Sequence, residues 1–105
     1  MEKLEKRLRD IELFHIYGEL LSSSQKDILV DYLDLDLSIT EIAENRGISR
    51  SAVDDAIKKG LVKLEYFESV VCLIDKKEKI LKNVAVLREK IQNCKELEEI
   101  EEVLK

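Results

Sequence analysis

The 105-residue chain has no proline, no tryptophan, 3 glycines, 2 cysteines and a single histidine. Without proline, turns must come from serine, aspartate and the few glycines, and helices meet no covalent obstacle. One histidine and two cysteines 22 positions apart fit no zinc-ligand spacing, so no metal is expected. No apolar run approaches the ~18 to 20 residues of a membrane span, and MEKLEKRLRD at the start lacks the apolar stretch of a secretory signal. The expectations are a cytoplasmic setting, no membrane insertion and reduced thiols, with Cys72 and Cys94 acting as small hydrophobes on apolar stripes. Catalysis has no foothold either. His15 lies between Phe14 and Ile16 and reads as a packed or partly exposed helix residue, and no glycine-rich phosphate loop is present. No catalytic residue and no cofactor is expected, and Tyr17, Tyr32 and Tyr66 read as core rather than as base-stacking platforms.

Charge and aliphatic residues fill the space. Charged side chains make up 39% of the chain and hydrophobic ones 45%, so a helical core is affordable and wholesale disorder is not expected. The net charge of −5 excludes a uniformly basic nucleic-acid binder, so any anion-binding surface must be local. Acid concentrates in residues 21–48, and the tail is segregated. Lys76, Lys77, Lys79, Lys82, Arg88, Lys90 and Lys95 precede a run rich in glutamate. That basic stretch reads as a solvated flank pairing with the acidic tail of the same or a second chain, with a phosphate contact as the alternative.

Apolar spacing predicts the elements. Leu4, Leu8, Ile11, Phe14, Tyr17 and Leu21 mark one face of a first helix over 2–21, weakened at Gly18. A second helix is expected over 24–33, then a loop at 34–37. Ser38 and Glu41 form the Ser-x-x-Glu pattern of a capping box for a third helix over 39–46, which Gly47 stops in a left-handed cap. Ser49 is the next N-cap, and Val53, Ile57, Leu61 and Leu64 carry a fourth helix that nothing ends before Asp75. Ile80, Val84, Leu87, Ile91 and Cys94 form a near-heptad seam, expected to be buried against residues 4–17 or in a homodimer.

In residues 38–59 several independent requirements coincide. Ala43 is the small residue where two helices touch, Gly47 supplies the tight turn, Ile48 seals it and Val53 packs the second helix. Those are the parts of a helix-turn-helix. The segment ITEIAENRGISRSAVDDAIKK, preceded by QKDILVDYLDLDL at 25–37, resembles region 4 of bacterial sigma factors. A closer similarity is to the YlxM family of small bacterial helix-turn-helix proteins. It rests on LFHIYGELLS at 13–22, Gln25, DLS at 36–38, EIAE at 41–44, ISRSAV at 48–53 and Ile57-Lys58-Lys59, and covers about residues 4–68.

The resemblance implies a nucleic-acid-binding or regulatory role linked to the signal recognition particle and its receptor. The expected fold is all-α. A sigma region 4-like helix-turn-helix domain with its N-terminal helix occupies 1–70, and a long C-terminal helical extension at 71–105 serves as a dimerisation or packing arm. The residues expected to contact nucleic acid, DNA or RNA, are Ser49, Arg50, Ser51, Lys58 and Lys59 on the reading helix, the first three at its N-terminal end. Asp54 and Asp55 oppose this, standing mid-face where the family more usually has an aromatic and an acid. Arg46 takes a turn position that is commonly apolar, so its stem should lie across the core with the charge outside. The alternative is a protein–protein adaptor of the targeting machinery whose helix-turn-helix no longer reads DNA, with signal recognition particle components as partners.

Overall fold

The computed structural model describes residues 2–105. Six α-helices follow in order: α1 Glu2–Tyr17, α2 Ser23–Leu29, α3 Ile39–Arg46, α4 Arg50–Val71, α5 Leu73–Lys90 and α6 Lys95–Leu104. A 3-10 turn at Gly18–Leu20 follows α1, and a π-helical turn at Val30–Asp34 continues α2. No strand is present among the described residues, and no helix is long and apolar enough to cross a membrane. The all-α class is therefore as expected. The chain divides into two units, residues 1–70 and 71–105.

In the first unit, serine and glycine punctuate the chain. The Ser22 hydroxyl accepts from the backbone N–H of Gln25 and starts α2. α2 does not close as an α-helix over 24–33. The backbone widens after Leu29, with Leu35 N–H reaching Val30 O at 3.0 Å and Leu37 N–H reaching Asp31 O at 2.9 Å. The loop begins only at Leu35, and Asp36 takes a positive φ of 54°, a conformation that aspartate tolerates better than most residues.

α1 departs most from its expected face. The buried set is Asp10, Leu13, Phe14 and Tyr17, whereas Leu4 and Leu8 are each 57% exposed. Residues 2–6 and 8 are all exposed, so the inward stripe begins at the half-buried Arg7 and runs through Asp10, Leu13, Phe14 and Tyr17. Leu13 and Phe14, adjacent in sequence, are both inside. The Tyr17 hydroxyl donates to Glu68 Oε1 of α4 at 2.6 Å, so a carboxylate buried to 6% exposure is satisfied within the core.

α4 is the spine of this unit. It runs unbroken through Gly60, burying Val53, Ile57, Gly60, Leu64 and Glu68 along one line. The glycine is a contact point rather than a weak one. A Cβ built there would stand 2.8 Å from Leu29 Cδ1, and Leu29 is fully buried.

α4 ends at Val71, short of Asp75, because Cys72 adopts a left-handed φ of 56° with no glycine to announce it. The near-heptad seam is likewise interrupted. α5 stops at Lys90, Asn93 turns the chain with φ 54°, and α6 begins at Lys95. Residues 73–104 are thus a helical hairpin, held by Arg88 Nε on Glu101 Oε1 at 2.5 Å. Ile80, Leu87 and Ile91 are exposed rather than buried, and Ile74, Val84 and Leu97 are the buried positions. Cys72 and Cys94 sit at the two helix junctions rather than on apolar stripes.

Gly60→Ala is expected to lower stability in the native background, because the clash of about 1–3 kcal/mol outweighs the helix-propensity gain of about 1 kcal/mol. Leu29→Ala alone should cost about 2–5 kcal/mol. Combined with Leu29→Ala, the same glycine substitution should become stabilising by about 1 kcal/mol. Urea unfolding followed by circular dichroism reads the sign reversal, and equal effects in the two backgrounds contradict the close-contact account.

Candidate nucleic-acid interface

The interface begins with the capping box. Ser38 Oγ accepts from Glu41 N–H at 3.1 Å while Glu41 Oε1 accepts from Ser38 N–H at 3.1 Å, fixing the start of α3. Gly47 ends α3 with φ 66° and ψ 35°, and Ile48 N–H donates to Ala43 O at 3.1 Å. The turn is closed by this backbone bond and by the buried Ala43. Ile48, expected to seal it, is 40% exposed. Ser49 Oγ accepts from Ala52 N–H at 3.0 Å and launches α4.

Arg46 braces the turn from outside. Its Nε donates to the buried Asp31 Oδ2 at 2.6 Å, and Nη2 donates to Asp27 O at 3.3 Å. The hydrogen bond that Arg46 donates to Asp31 raises the Arg46 pKa above its ordinary value, which only reinforces a permanent cation. The π turn is what brings the Asp31 carboxylate to this position, so α2 and α3 are pinned together behind the turn.

α3, the Gly47 turn and the first turns of α4 have the parts and order of a helix-turn-helix. The residues predicted to touch nucleic acid fall into three groups. Ser49 spends its hydroxyl as a cap. Arg50 and Ser51 are exposed on the first turn of α4, where backbone N–H groups lack intrahelical acceptors and the helix dipole favours anions. Among the described residues Arg50 has no ion-pair partner. Lys58 and Lys59 are also exposed but engaged: Lys58 Nζ lies 2.8 Å from Asp54 and Lys59 Nζ 3.0 Å from Asp55. The Asp54 hydrogen bond raises the Lys58 pKa. The two aspartates therefore oppose those cations directly, one turn back on the same helix. Ala52, apolar on the first turn of α4, is exposed.

Sequence reasoning missed Tyr66. It belongs to no core, being 63% exposed on the outer side of α4 with Val62 and Val70 one turn away on either side. Among the described residues no cluster of three or more histidine, cysteine, aspartate or glutamate side chains is arranged to hold a metal ion.

The protein is thus of the helix-turn-helix class. The chain belongs to the UPF0122 family, whose description is "Putative helix-turn-helix protein, YlxM / p13 like" and whose pattern matches residues 4–104. It is similar to a UPF0122 protein of Clostridium kluyveri, 41% identical over 80 residues that cover 76% of this chain and 72% of that one. A UPF0122 protein of Fusobacterium nucleatum is 40% identical over 77 residues, 73% of this chain and 75% of its own length. One from Thermoanaerobacter is 33% identical over 93 residues, 89% of this chain and 80% of the relative.

Arg46→Met should leave the Asp31 carboxylate buried without its guanidinium and lower the urea midpoint clearly. Adding Asp31→Leu to Arg46→Met should restore much of the loss, since an apolar pair replaces an ion pair. Equal midpoints for the single and double variants would show that Arg46 does not brace the turn.

Proposed function

We propose that this chain is a nucleic-acid-binding regulatory protein without catalytic activity that inserts the first turn of α4 into a duplex groove. The observation that carries this reading is the uncommitted Arg50 beside Ser51, at the amino end of a helix held off its neighbour by the Gly47 turn. Arginine there has the fork geometry for guanine O6 and N7, and the free N–H groups suit a phosphate. Lys58 and Lys59 follow along the backbone. The link to the signal recognition particle rests on the YlxM resemblance, and particle RNA or its protein components are the partners it suggests. The arm at 71–105 supplies packing or dimerisation, which would set two reading helices on half-sites.

The adaptor reading draws on a different observation: Lys58 and Lys59 are each already matched by an aspartate, and the chain is acidic overall. An acidic surface of this kind suits a basic protein partner.

Anisotropy of the full chain against random duplex DNA and particle RNA at about 50 and 200 mM salt separates the two. Arg50→Ala should weaken binding and flatten the slope of log affinity against log salt by about 1. Asp54→Asn with Asp55→Asn should do the reverse, steepening the slope by about 1 to 2 as two lysines are released. Absence of micromolar binding to either ligand, with the aspartate variants equally inert, favours the adaptor.

A further inference from the structure

The first turns of α1 are exposed on both faces: Leu4 and Leu8 on one, Lys3 and Lys6 on the other, with Arg7 half-buried and Asp10 buried. The side carrying Lys3, Lys6, Arg7 and Asp10 borders a recess. Lys3, Lys6 and Arg7 of α1 line one side, Asp54 and Lys58 of α4 the other, with Ile39, Ile57 and Leu61 among the floor residues.

The charges of that recess are not equivalent. Arg7 is structural: its Nη2 donates to Tyr32 O at 2.7 Å and to Asp36 Oδ1 at 2.8 Å, with the guanidinium 5.2 Å from the Tyr32 ring centroid. Lys6 Nζ lies 3.0 Å from the buried Asp10 but its side chain is 70% exposed, so its ammonium keeps donors for a second anion. Lys3 is exposed and, among the described residues, has no ion-pair partner. Lys58 belongs to the reading helix itself. Cations from two helices therefore border one depression that opens beside the reading face, in a protein whose net charge is −5.

We infer that Lys3 and Lys6 of α1 form, with Lys58, a second phosphate-contacting surface that grips the nucleic-acid backbone flanking the reading helix. The inference rests on the nucleic-acid reading above and extends the interface to an element outside the helix-turn-helix. The ligand chemistry is a phosphodiester strand, with the ammonium groups on the phosphate oxygens and the sugar carbons against Ile39 and Leu61. Such contacts fix register and orientation and carry no sequence information. They also compensate for Asp54, which alone would repel a backbone passing Lys58.

The test uses the full chain with a random-sequence duplex, as DNA and as RNA, titrated across about 50 to 200 mM salt. Lys3→Gln is expected to flatten the salt slope by about 1, and Lys3→Gln with Lys6→Gln by about 2, equally for every sequence. Lys3→Gln touches no ion pair, so its thermal unfolding should be unchanged, and Lys3→Arg should keep the native slope. The duplex bound more tightly identifies the source of the phosphates. Native slopes in both glutamine variants, while Arg50→Ala flattens its own, overturn the α1 surface and leave the reading helix intact. Native protein that binds neither duplex overturns the parent reading and this one together.

Discussion

The contact between α4 and Leu29 at Gly60 is the constraint on which the rest of the first unit depends. A Cβ at position 60 would stand 2.8 Å from Leu29 Cδ1, too close for either to keep its place. With hydrogen there, Leu29 is sealed completely, and Val53, Ile57 and Leu64 reach the same interior from the same helix. The consequence extends to both ends of α4. Toward its start the helix emerges beyond the Gly47 turn with Arg50 and Ser51 exposed. Toward its end Glu68 meets the Tyr17 hydroxyl and Glu65 pairs with Arg9, whose pKa is raised chiefly by that hydrogen bond. One long helix thus organises the unit, and its amino end is the part left available.

Charge in this molecule is mostly spent internally. Arg46 holds Asp31, Arg7 holds Asp36, and Lys58 and Lys59 hold Asp54 and Asp55. The exposed pairs contribute little to stability, on the order of 0 to 1 kcal/mol each. Their larger effect is on recognition. A phosphate approaching the middle of the reading helix must compete with a carboxylate already in place, whereas at Arg50 and Lys3 it need not.

The tail follows a different economy. Its two helices fold on each other through Val84, Leu97 and the Arg88–Glu101 pair, leaving Ile80, Leu87, Ile91 and Val103 at the surface. The basic run of α5 and the acidic run of α6 accordingly meet in part within one chain, and the glutamate partner raises the Arg88 pKa.

Local chemistry was legible in the sequence wherever a residue type can do only a few things. Ser38 with Glu41, Gly47 and Ser49 are caps because a helix end needs those groups at those positions, and each is found at its expected place. Val53, Ile57 and Leu64 were legible because α4 has a single apolar stripe in its first half. The turn at Cys72 was not, because a left-handed cysteine carries no signal that separates it from a helical one. Nor was the buried face of α1, where Asp10 and Leu13 lie inside while Leu4 and Leu8 do not. The helix-turn-helix and its caps could be read from residue order, because they depend on contacts within a few residues. Which face of α1 is buried, and that Tyr17 meets Glu68, Arg9 meets Glu65 and Arg46 meets Asp31, emerged only in the folded molecule, because each depends on what a distant segment places opposite.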